Sequence, residues 1–96
     1  MPAATRLGDV CTGHGTFPPR PSNSGSPDVA TNGKPQMRVS DTYDPHCNSD
    51  GVCHGGALAQ GSGSVFVNGK PAGRIGDSVD CGSSVSVGSG NVFIGG

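Results

Sequence analysis

This 96-residue chain has no tryptophan and no glutamate, and its only leucines are Leu7 and Leu58. With apolar residues at 31%, it cannot build a large core, and the length allows one domain. Folding must still offset roughly 1–2 kcal/mol of backbone entropy per residue. A small fold this poor in apolar surface needs a staple: disulfides, a metal or a partner surface. No stretch approaches the roughly 20 apolar residues that span a bilayer. The N-terminus lacks the apolar h-region of a secretory signal. The expected site of synthesis is therefore a reducing cytoplasm, where four cysteines and three histidines read as metal ligands more readily than as bridges. Net charge is −1 without a basic patch, so nucleic acid binding has no electrostatic support. Neither a Gly-x-Ser-x-Gly elbow nor a phosphate-binding glycine loop occurs, and no apolar 3.6-residue period announces a helix.

Turn residues are abundant, with 18 glycines and 8 prolines. That share nears the range of low-complexity chains, but one ordered phrase recurs three times. Gly25-Ser26-Pro27-Asp28-Val29-Ala30-Thr31-Asn32-Gly33-Lys34-Pro35 returns as Gly61-Ser62-Gly63-Ser64-Val65-Phe66-Val67-Asn68-Gly69-Lys70-Pro71. It returns again, cut short, as Gly88-Ser89-Gly90-Asn91-Val92-Phe93-Ile94-Gly95-Gly96. A second phrase follows the first two copies, Arg38-Val39-Ser40-Asp41 and Arg74-Ile75-Gly76-Asp77, and its third copy, Arg6-Leu7-Gly8-Asp9, opens the chain. One unit is thus split between the two ends, which describes a closed object with three equivalent units about one axis.

Within a unit, Val65-Phe66-Val67 and Val92-Phe93-Ile94 read as short strands. Asn32-Gly33 and Asn68-Gly69 read as two-residue hairpin turns, because both residues tolerate positive φ. The Arg-x-x-Asp phrase is expected to be the returning strand. Unequal connectors follow, Val10 to Ser24, Thr42 to Gln60 and Ser78 to Val87, and they hold every cysteine and histidine. Turns at one end and connectors at the other predict a β-rich base with a loop-built tip. Pro18-Pro19-Arg20-Pro21 reads as a stiff extended spacer within the first connector.

The connectors are in step. His14 lies five residues after Asp9, His46 five after Asp41, and Cys81 four after Asp77. Around an axis those side chains converge, and His54 in the longest connector supplies a fourth donor. Three imidazoles and a thiolate suit a closed tetrahedral zinc site, with iron an alternative. A local site within His46-Cys47…Cys53-His54 is the rival, although neighbouring side chains in extended backbone point to opposite faces. A variant set using Cys47 or Cys53 stays open, as does a Cys47–Cys53 bridge. Otherwise Cys11, Cys47 and Cys53 read as small packing residues. Arg6, Arg38 and Arg74 read as ion-pairing or packing residues, the three aspartates as acceptors of turn N–H groups, and Lys34 and Lys70 as solvated.

Pro2-Ala3-Ala4-Thr5-Arg6, Pro35-Gln36-Met37-Arg38 and Pro71-Ala72-Gly73-Arg74 resemble the Pro-Ala-Ala-Arg repeat of the PAAR family, over nearly the whole chain. The first copy departs by an inserted Thr5, the second by Gln36-Met37 and by Ser40 in place of glycine. The resemblance implies an all-β cone of three pseudo-threefold hairpins, with a metal held near its apex by a mostly histidine shell and a cysteine. It also implies a role: one chain caps a trimeric β-helical spike, VgrG-like or of a phage tail, in a contractile injection machine. Such a protein is made in the bacterial cytoplasm, assembled on the spike and driven outward, touching the target membrane transiently and in some cases carrying effectors. The repeats run from residue 2 to residue 96, so a single domain without a fused effector is expected. Two other readings stand beside this one. A zinc hydrolase requires an open coordination position, and a disulfide-stapled secreted module requires paired thiols and no metal.

Overall fold

The computed structural model describes all residues, Met1–Gly96, and contains no helix, so no helix is long and apolar enough to cross a membrane. Six strands form three antiparallel hairpins: β1 (Ala30–Thr31) with β2 (Lys34–Pro35), β3 (Thr42–Cys47) with β4 (Cys53–Ala57), and β5 (Phe66–Val67) with β6 (Lys70–Pro71). The first and last of these turn on Asn-Gly. Asn32 and Gly33 have φ of 55° and 76°, Asn68 and Gly69 of 54° and 77°, as a two-residue turn with both central residues left-handed requires.

The third base hairpin is made from the two chain ends. Ala3 pairs antiparallel with Phe93, as Pro35 does with Ala30 and Pro71 with Phe66. The amides of Gln36, Ala72 and Ala4 donate to the carbonyls of Val29, Val65 and Val92, all at 3.0 Å. Thr5 is therefore not an insertion. It is the counterpart of Met37 and Gly73, and Ala3 occupies the proline position. These three residues close a ring about the axis: Thr5 N–H donates to Gly73 O (3.1 Å), Gly73 N–H to Met37 O (2.9 Å), and Met37 N–H to Thr5 O (3.1 Å). Gly73 belongs there sterically, because a Cβ would lie 2.6 Å from Leu58 Cδ2 and 2.9 Å from Thr5 Cγ2.

The Arg-x-x-Asp phrase is a tight turn, not the returning strand expected. In each copy the aspartate amide donates to the arginine carbonyl, at 3.0, 3.0 and 3.1 Å. The carboxylate in turn accepts the arginine backbone N–H and its Nε–H, as in Arg38, at 2.8 and 2.9 Å. Val39 and Ile75 look like strand residues, but this reciprocal bonding offers the backbone a better partner than a ladder. Gly8, Ser40 and Gly76 share the left-handed φ of 90°, 81° and 90° that the turn demands. The ion pairs Arg6–Asp9, Arg38–Asp41 and Arg74–Asp77 are all largely buried.

Each connector folds back on itself as an arm: Val10 pairs with Pro21, β3 with β4, and Ser78 with Ser84. The roots of the arms carry Cys11, Tyr43 and Val79, each two residues after its aspartate. Together with Met37, Leu58 and Val85 they form one buried cluster. A second cluster, Ala4, Val67, Ala72 and Ile94, fills the base. The molecule is elongated, 39 × 23 × 23 Å, which agrees with the all-β cone.

Candidate metal centre

His46 and His54 are directly opposite in the β3–β4 hairpin. His14 comes from the first arm, where its backbone exchanges hydrogen bonds with Phe17 (3.0 and 2.8 Å), and Cys81 comes from the third. Together the arms place one donor atom of each of His14, His46, His54 and Cys81 within 4.8 Å of one another. His14, His46, Cys81 and the fourth candidate His54 are brought together as a set, and Cys11, two residues from Asp9, is buried in the cluster at the roots of the arms, as expected.

The donor geometry suits a cation. His54 Nε2 lies 3.0 Å from His14 Nε2 and 2.7 Å from His46 Nε2. Tetrahedral zinc with bonds near 2.0–2.1 Å sets its nitrogens about 3.3 Å apart, so the spacing is close to what a bound ion requires. His46 Nδ1 lies 2.8 Å from the Pro18 carbonyl, which can only accept. Nδ1 therefore carries the proton, and Nε2 presents a lone pair inward. The single hydrogen-bonding position at His54 Nε2 cannot satisfy both neighbouring nitrogens, whereas a cation among the three satisfies all of them. Desolvation, followed by the neighbouring His46 and His14, holds His54 below the usual imidazole pKa, which keeps it in the neutral form a metal binds.

Cys47 and Cys53 are not core packing residues or donors. Both are exposed, and they form a disulfide directly beyond the His46–His54 pair. Extended backbone explains this. With His46 and His54 turned inward, their sequence neighbours face outward across the same hairpin. The Cys47–Cys53 bridge that the spacing allows is thus present. Beyond it, Asn48 Oδ1 accepts the amides of Asp50 and Val52 and closes the turn.

Comparison with known proteins agrees with this architecture. The model of the PAAR motif family matches residues 12–87 and again 53–96. The chain belongs to the PAAR family. Over 77 residues, 75% of its length, this PAAR chain is 36% identical to two proteins of Pseudomonas aeruginosa: the NAD(P)(+) glycohydrolase toxin Tse6 of strain PAO1 and the (p)ppApp synthetase toxin Tas1 of strain UCBPP-PA14. It spans only 18% of the length of either relative.

Three contributors to the PAAR centre escape a reading by residue type. Gly56 lets Cys81 approach, since a Cβ there would sit 2.9 Å from Cys81 Sγ. Phe17 packs on all three imidazoles. Pro18 contributes only its carbonyl, which no side-chain pattern reports.

Proposed function

We propose that this chain caps the trimeric central spike of a type VI secretion system. One chain sits base-down per trimer, and its arms form a point pinned by a single structural metal ion on His14, His46, His54 and Cys81. The observation that carries this reading is the base. It repeats one backbone three times about an axis, and the equivalent positions Ala30, Phe66 and Phe93 are all exposed there, with Phe66 at 56% and Phe93 at 52%. Apolar surface of this kind marks an interaction site, and a single chain meets a threefold partner at all three edges only if it repeats threefold itself. The toxins among its relatives favour a secretion system over a phage tail, and they are consistent with effectors travelling alongside such a domain.

The role is mechanical. A metal on the four donors would cross-link all three arms beyond the buried cluster at their roots. Nitrogen and thiolate donors prefer zinc, and iron is the second choice. Cys81 as fourth donor argues against a hydrolase, which needs that position open.

Mixing the full chain with its cognate trimeric spike tests the docking. Native mass spectrometry should record one chain per trimer, and three chains per trimer or no complex would sink the cap. Elemental analysis of protein purified without chelator should find one zinc or iron per chain.

A further inference from the structure

Phe17 is the one phenylalanine away from the base; Phe66 and Phe93 are both exposed there. Its ring centroid lies 4.8 Å from that of His14, 5.0 Å from His46 and 4.3 Å from His54. One half-buried ring therefore covers all three imidazoles. The next residue supplies the carbonyl that fixes His46. The backbone is built to press this pair inward. Gly13 has φ of 71°, and a Cβ on it would fall 2.5 Å from Phe17 O, 2.9 Å from Pro18 C and 2.9 Å from Pro19 N. His14 and Phe17 then lock the loop through their two mutual backbone hydrogen bonds.

We propose that the Phe17–Pro18 segment is the gate of the histidine–cysteine centre: Pro18 O orients His46 as a donor, and the Phe17 ring closes the imidazole side, so that a bound metal exchanges slowly. This inference rests on the metal reading above. Phe17 and Pro18 are positioning residues and donate nothing to the ion. The physical basis is that an apolar ring over the donors excludes the water and chelator needed to displace them one at a time, while a fixed second nitrogen holds the ring plane of His46. For a spike tip, such a gate would keep the pin in place during passage through compartments rich in competing ligands.

The test uses the full chain loaded with Co(II), whose visible spectrum reports coordination geometry, and follows transfer of the metal to excess EDTA. Phe17→Ala should keep one metal per chain and a tetrahedral Co(II) spectrum but release metal at least tenfold faster. Phe17→Leu should recover most of the slow release. Gly13→Ala, which displaces the Pro18 carbonyl, should also speed release and in addition shift the Co(II) bands. Release from Phe17→Ala within twofold of the parent would overturn the gate. If Phe17→Ala does not fold, Phe17→Leu decides: release as fast as that from Gly13→Ala would overturn it. A parent chain that binds no stoichiometric Co(II) would overturn the metal reading and the gate with it. Loss of binding in His54→Ala, with parent-like release from Phe17→Ala, would overturn the gate alone.

Discussion

The base of this molecule repeats one backbone pattern three times, and its tip does not. At the base, three units with different side chains make the same backbone bonds. Ala4, Gln36 and Ala72 make the same backbone bond there, and Thr5, Met37 and Gly73 close one ring through backbone amides, to which the Gln36 side chain adds bonds to the Met37 and Gly73 carbonyls. At the tip, three arms of unequal length bring the side chains of His14, His46, His54 and Cys81 together, and one disulfide closes the β3–β4 arm. A backbone-built region tolerates drift in sequence, provided its turns and ion pairs survive. A side-chain-built region depends on each donor and on whatever aims it.

The largest predicted effect is at the base. Asp41→Ala strands the buried Arg38 guanidinium, which should cost about 3–5 kcal/mol in urea denaturation. Asp9→Ala and Asp77→Ala should cost similar amounts. A site that costs far less than the other two would break the equivalence of the units.

Next come two glycines of opposite character. Gly73→Ala overpacks the ring and should destabilise by about 1–3 kcal/mol while metal content holds at one per chain. Gly56→Ala pushes against Cys81 Sγ and should instead lower metal content, measured by elemental analysis. If both variants lose metal equally, base and tip are one cooperative unit and the contrast fails.

Reduction of Cys47–Cys53 releases a short loop, worth about 2 kcal/mol by loop closure. Hydrogen exchange should then quicken in β3 and β4 while the amides of Thr5, Met37 and Gly73 stay protected. Faster exchange throughout would show that the clasp supports the whole cone.

The gentlest test is acid. Burial raises the Asp41 pKa, but the side-chain hydrogen bond from Arg38, its backbone N–H and the Ser24 hydroxyl outweigh that and hold it below its usual value. Its stabilising contribution is therefore complete above the ordinary carboxylate pKa of about 3.9. It is lost as pH falls through the lower folded-state value. An acid titration of stability should show this decline in the parent and a flatter profile in Asp41→Asn.

Much of the centre is legible in spacing. His14 and His46 keep one distance from Asp9 and Asp41, and Cys81 falls a residue short from Asp77 because its arm is the shortest. Val39 and Ile75 have the look of strand residues, but the arginine and aspartate bracketing them decide that segment. The disulfide is not legible in the sequence, because a thiol's type does not say which face of a hairpin it occupies.

The sequence alone determined the threefold repeat, the Asn-Gly turns and the split third unit, and it singled out His14, His46, His54 and Cys81 as one candidate set, because each is a pattern along the chain with a local physical cause. Only the tertiary structure decided that Thr5 joins the ring, that Cys47 and Cys53 face outward and bond, and that Phe17 and Pro18 close over the histidines. Those outcomes depend on where separate arms meet in space, and a backbone carbonyl or the face of a ring carries no signature along the chain.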